Sequence, residues 1–305
     1  MNRDLTKILI AGLAIITIVS AAEPRALTPK LKEFIHPVWS PDGSQIAVSQ
    51  SGYRGVWLVD SQSHKMTQLT DANAAGFGMA WSHDGRYLAT TENQGETIPR
   101  RTAIRVYDVK GNTQQLLSDF TTRLTGTLYW SPNNQGVFLV GHTPLQNAFF
   151  RLKNETPTVG LDFFSIQGDQ IVSYNTASQV VTTLGTDSRF LNLQISPDGE
   201  TYVCEKLGGG LRIGNQTTVI ADLPRGERPR WSVDGQSIVY QIATDDGERI
   251  LQSDIWRVSV DGSQVTQITD TPNQIELNPS LSPDNRDVAY EELTSRQIFI
   301  LSLTP

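Results

Sequence analysis

Among 305 residues the chain has one cysteine, Cys204, and four histidines. A single cysteine excludes an intrachain disulfide, so stability must come from packing alone. Cys204 falls in an apolar stretch where a small buried hydrophobe is expected rather than a nucleophile. No Gly-x-Ser-x-Gly elbow, no His-Glu-x-x-His pair and no EF-hand spacing of acidic residues occurs, so neither a catalytic nor a metal site is expected and no cofactor is implied. Runs of Lys and Arg are missing too. With a formal net charge of −7, nucleic acid and anionic lipid are not expected as partners.

Long apolar runs are also missing. The uncharged, mainly apolar stretch 8–22 follows Arg3 and Lys7 and ends in Ser20-Ala21-Ala22 before Glu23-Pro24. A membrane span needs ~20 apolar residues, which this stretch does not supply. Residues 1–22 are therefore read as a secretory signal peptide, and the remainder as an exported chain, periplasmic or secreted, with no stable membrane span once the signal is cleaved. Retention of the segment as an anchor is the other reading.

What the chain does have is a repeat. Trp39-Ser40-Pro41-Asp42-Gly43, Trp81-Ser82-His83-Asp84-Gly85 and Trp130-Ser131-Pro132-Asn133-Asn134 are followed by Ile195-Ser196-Pro197-Asp198-Gly199, Trp231-Ser232-Val233-Asp234-Gly235 and Leu281-Ser282-Pro283-Asp284-Asn285. Ser first, Pro second and Gly or Asn last is the chemistry of a type I turn leading into positive φ. Each copy is followed by a β-branched or aromatic run, such as Ile46-Ala47-Val48 or Ile238-Val239-Tyr240, and in most units by a third and a fourth. Four antiparallel strands per unit, repeated radially, make a β-propeller. Six copies predict an all-β, six-bladed propeller of four-stranded antiparallel blades over residues 23–305.

The last unit ends after three strands. Ala26-Leu27-Thr28 precedes the first anchor with the separation shown by other fourth strands, so the N-terminal strand is expected to join the last blade and close the ring. The stretch 141–169 is the one large departure. It is read as an insertion in the third blade, with 161–166 as an extra strand; a degenerate seventh blade is the alternative.

The run His36-Pro37-Val38-Trp39-Ser40-Pro41-Asp42-Gly43, with Leu69-Thr70 before the next copy, resembles the WD40-like repeat of the TolB-type six-bladed propellers; Pro229 and Pro279 keep the same proline. The resemblance implies a periplasmic propeller of the Tol–Pal cell-envelope system, with an envelope protein or a lipoprotein such as Pal as partner. The N-terminal α/β domain of that family finds no counterpart in the dozen or so residues before the first blade, which puts a contact with TolA in doubt.

The repeated Asp and Ser residues are assigned to turns, and Trp39, Trp81, Trp130 and Trp231 to packing between blades. Function is left to the face bearing the long loops. The residues three before each anchor, His36, Gly78, Thr127, Asn192, Arg228 and Asn278, are expected around the channel mouth there, with Arg101 from an adjoining loop. The expected function is non-catalytic protein binding by a monomer. A carbohydrate-active lyase or hydrolase, or a glycan-binding propeller, is the alternative, with His36, Arg228, Asp245/Asp246 and Arg100/Arg101 at its polar centre.

Overall fold

The computed structural model describes residues 23–30, 32–95, 98–124, 126–140, 149–152, 162–185, 187–272 and 274–303, and the backbone of 15–18. The expected signal peptide lies largely outside these residues; within it, Ile15–Ile18 runs parallel to the outer strand of the sixth blade.

Among the described residues the strands form seven sheets, antiparallel apart from that one added pairing, so the propeller has seven blades and not the six expected. Blade one comprises Phe34–Trp39, Gln45–Gln50, Arg54–Asp60 and Met66–Thr70, and blade two Ala80–Trp81, Tyr87–Gln94, Arg101–Asp108 and Thr113–Leu116. Blade three has three described strands, Thr127–Trp130, Gly136–Val140 and Phe149–Arg151. Blade five is Phe190–Ile195, Thr201–Lys206, Leu211–Asn215 and Val219–Leu223, and blade six Glu227–Trp231, Ser237–Asp245, Ile250–Ser259 and Gln264–Gln267. Blade seven is Glu276–Leu281, Asp287–Glu292 and Gln297–Ser302, completed by Arg25–Ala26.

The additional blade is the fourth, and it replaces the expected insertion. Asp162–Gln167 does not add to blade three. It pairs with Gln170–Asn175, which pairs in turn with Val181–Thr183. The first two strands are joined by Gly168-Asp169, both at positive φ (58° and 66°), the backbone of a tight two-residue hairpin. That turn carries no Ser-Pro-Asp-Gly signature, which is why counting signatures undercounts the blades.

In all six signature turns the Ser hydroxyl donates to the side-chain oxygen two residues on, at 2.5–2.8 Å. The turns also touch one another around the axis. His83 N donates to Asn134 Oδ1 at 2.8 Å and Asn285 Nδ2 to Asp234 Oδ2 at 2.8 Å. Tyr129 Oη of blade three donates to the Ser196 carbonyl of blade five at 2.7 Å. The signature blades therefore meet directly past blade four.

Six hydrophobic clusters fill the joints between blades. Five lie between consecutive signature blades, for example Phe34, Trp39 and Ile46 with Ala289, Ile298 and Ile300. The sixth joins blades three, four and five through Phe138, Phe163, Phe164, Tyr202 and Cys204. Cys204 is the small buried side chain expected, its thiol pushed above the ordinary range by burial. Three tryptophans bond as well as pack. Trp81, Trp130 and Trp231 each donate their indole N–H to a carbonyl of an earlier signature blade, those of Val38, Ala80 and Gln194, at 2.9–3.4 Å.

Closure occurs where expected. Arg25 and Ala26 pair with Ile300 and Phe299, Leu27 N donates to the Ile298 carbonyl at 2.7 Å, and Ile298 N donates to Thr28 Oγ1 at 2.9 Å. Leu27 and Thr28 are buried in the joint.

Candidate functional site

A cavity of about 220 Å³ opens along the axis, and all six residues expected at the mouth line it: His36, Gly78, Thr127, Asn192, Arg228 and Asn278. Arg101 does not. It is exposed at the start of its strand and donates to the Phe120 carbonyl at 2.6 Å, in the connection after the last strand of blade two. The alternative polar centre is not assembled either. Asp246 accepts from the backbone N–H groups of Glu248 and Arg249, and Asp245 from that of Gly247, so both carboxylates cap a hairpin.

A local backbone device delivers the mouth residues. In blades one, five, six and seven the first strand slips register against the second, at Ile35/Val38, Leu191/Gln194, Glu227/Arg230 and Leu277/Ser280. His36, Asn192, Arg228 and Asn278 sit in these bulges at φ of 61°, 50°, 51° and 52°. A bulge inserts one unpaired residue and re-aims its side chain. Asn accepts a left-handed backbone readily; His and Arg adopt it at greater cost, which the surroundings must offset.

The surroundings are second-strand polar groups. Glu205 Oε1 accepts from Arg228 N at 2.6 Å and from Asn192 Nδ2 at 2.9 Å. Gln241 Oε1 accepts from Asn278 N at 2.9 Å. Glu291 Oε2 accepts from Asn278 Nδ2 at 3.0 Å, and its carboxylate also accepts from the His36 backbone N–H. Each bulge N–H of blades six, seven and one is thus held by the blade before it. Glu205 and Glu291 are buried, and burial raises the affinity of both for a proton despite these bonds. Sequence reasoning missed all three. The signal available was register: each stands ten residues after its anchor, Ile195, Trp231 or Leu281.

Three further lining features also went unread. Phe77, 56% exposed, stands at the rim edge-on to Tyr53 at 5.2 Å, and Tyr53 is edge-on to His36 at 5.7 Å. Arg230, next to the blade-six anchor, is half-buried against the cavity. His83, foreseen only as a turn residue, reaches the cavity from the opposite side with Nε2 3.4 Å from the Trp130 carbonyl.

The electrostatics are one-sided. Burial, then the charges of Arg230 and Arg228, hold the His36 imidazole down at about 3, so it is neutral at pH 7. Its Nδ1 lies 3.3 Å from the Gly76 carbonyl, which fixes Nδ1 as the protonated nitrogen. Burial, with Arg228 beside it, lowers Arg230 to about 10. No Asp or Glu is among the described lining residues. The cavity can therefore donate hydrogen bonds, stack apolar groups and attract an anion, while the described lining supplies no poised acid–base pair. Among the described residues no group of three or more His, Cys, Asp or Glu is placed to hold a metal ion, and no helix is long and apolar enough to cross a membrane.

No known family's sequence profile matches the chain, and no curated protein does. Solved structures do resemble it. One described as a TolB from Agrobacterium tumefaciens is 18% identical, with a TM-score of 0.57 over 92% of this chain and 94% of that one. An oligogalacturonate lyase from Vibrio parahaemolyticus is 11% identical, with a TM-score of 0.61 over 94% and 99%. The Cps50 (Swd1) β-propeller domain of Myceliophteria thermophila is 11% identical, with a TM-score of 0.62 over 92% and 100%. At these identities the likeness is one of fold: the chain is a β-propeller with TolB-like and lyase structures among its neighbours.

Proposed function

We propose that the chain is an exported, non-catalytic propeller that binds another protein of the cell envelope at the long-loop mouth of its channel, in a role similar to that of the TolB propeller. The observation that carries this reading is convergence. Six residues from six blades meet on one cavity, four of them in left-handed bulges and donating hydrogen bonds to neighbouring side chains. Backbone strain kept in repeated copies and aimed at one cavity suits a preformed recognition site. Phe77 and Tyr53 supply rim aromatics, and Arg228 supplies the residue type that, with Tyr and Trp, dominates protein interfaces.

The glycan reading draws on the same aromatic and arginine lining and on the likeness to a lyase fold. Its hydrolase form is the weaker one because the described lining has no carboxylate to serve as acid or base.

The test is a cross-linked capture from envelope extract with the chain as bait, beside an Arg228→Glu/Asn278→Ala variant. Loss of a captured protein in a variant that melts like the wild type is expected. A partner retained equally by both would overturn the mouth as the site.

A further inference from the structure

We propose that Arg228 and Arg230 form a carboxylate-binding site inside the channel, which takes an acidic group presented by the bound partner chain beside an apolar side chain. This rests on the protein-binding reading above and gives that ligand its chemistry.

The molecule carries a net charge of −7, yet the described lining of its axial cavity bears two guanidinium groups and no carboxylate. Three other arginines taken out of solvent have partners: half-buried Arg257 donates to Ser237 Oγ at 2.9 Å, and two more are ion-paired. Arg212 is clamped by Asp187 and Asp222 at 2.5 and 2.8 Å, and Arg105 meets Glu92 at 2.7 Å. Among the described residues neither Arg228 nor Arg230 makes an ion pair. A half-buried, unpaired guanidinium beside another is held at a cost that an incoming anion removes. The fall of Arg230 from its ordinary range is the same cost seen in its protonation.

The nearest carboxylates feel the Arg228 charge but form no ion pair with it. Glu205 and Glu291 stand behind the bulges, and each already accepts two hydrogen bonds, from Arg228 N and Asn192 in one case and from His36 N and Asn278 in the other. They position the bulge that carries Arg228 rather than its guanidinium. His36, neutral between the two sides, adds no competing charge.

Phe77 at the rim, Tyr53 and His36 form an edge-to-face series at 5.2 and 5.7 Å that leads from solvent to the arginines. A ligand that fits this track carries an apolar or aromatic group along the ring series and a carboxylate at its inner end. Guanidinium groups take carboxylates through two parallel N–H···O bonds, so a planar anion is preferred.

The test titrates the intact chain with N-acetyl-L-phenylalanine, with its neutral amide N-acetyl-L-phenylalaninamide and with D-galacturonate, at low salt. It is read by calorimetry and by the fluorescence of Trp81 and Trp130, which line the cavity. Saturable binding of N-acetylphenylalanine, about tenfold tighter than that of the amide, is expected. Arg230→Gln should weaken it about tenfold, and Arg230→Lys by less, with melting temperatures near that of the wild type. Equal binding of the acid and the amide, no saturable binding, or an Arg230→Gln variant that binds like the wild type would overturn the site. Galacturonate binding about tenfold tighter than N-acetylphenylalanine would overturn the peptide source in favour of a sugar acid. The two readings fail separately. A partner lost in the Arg228→Glu/Asn278→Ala capture, with no probe discriminated by charge, sinks the carboxylate site alone. Charge-selective probes with no captured partner sink the protein-binding reading.

Discussion

Glu276 is fully buried between blades six and seven, and neither of its carboxylate oxygens meets a hydrogen-bond donor in good geometry. Burial pushes its proton affinity up to about 7; the Asp254 and Glu292 charges add to this, and the nearby Thr269 and Thr271 hydroxyls offset it only in part. The folded state therefore holds a proton that the unfolded chain releases near its ordinary value. Stability should fall as pH rises from about 4.5 through 7, by roughly 3 kcal/mol for a shift of this size. Glu276→Gln should flatten that slope and be the more stable protein at pH 8, as measured by urea unfolding across pH. An unchanged slope would contradict the assignment. His36 acts with the opposite sign. Its folded-state value of about 3 lies below the ordinary one, so it contributes stability that grows with pH between about 3 and 6.5. Trp130, 1% exposed and bonded to the Ala80 carbonyl, should cost about 3–5 kcal/mol when cut to Ala, read as a shift in the urea midpoint. Trp130 was legible as packing because it recurs at one point of the repeat. Glu276 was not, since its burial depends on a neighbouring blade.

At the scale of elements, the signature turns were legible because Ser-Pro-Asp-Gly encodes its own geometry in four residues. The hairpin at Gly168-Asp169 encodes itself too, but in two residues without the repeat. The bulges lie between these cases. The place of their residues at the channel mouth followed from the count back from each anchor, but nothing local marks His36 or Arg228 for a left-handed backbone. What holds them is Glu205, Gln241 and Glu291 across a blade boundary. Asn278→Gly should accordingly be tolerated better than Asn278→Val. The latter should lose an additional 1–3 kcal/mol or so, because a β-branched side chain resists this φ; equal unfolding midpoints would contradict the bulge account. The closing strand is another element with a direct test. Deleting 23–30 removes Leu27 and Thr28 from the joint of blades seven and one and exposes the edge of Gln297–Ser302. The melting temperature should drop sharply, and an unchanged melt would contradict closure.

At the scale of the whole molecule, six copies of one signature and seven sheets are both facts of this chain. The signature turns form a ring around the axis, and blade four is wedged between blades three and five, joined to them by a shared core. The sequence foretold a channel whose mouth residues come one from each signature blade, and the cavity gathers all six. It did not reveal the rest of the lining, because Arg230, Phe77 and Tyr53 come from different parts of the chain and meet only through the ring. The proposed entry of partners is by this mouth. Its most direct test places a photo-cross-linking residue at Thr127, exposed beside the cavity, and in a second protein at Ser263, exposed in the turn before the last strand of blade six. An adduct to a partner from Thr127 and none from Ser263 is the predicted result. An adduct from Ser263 alone would place binding on the turn face and contradict the account.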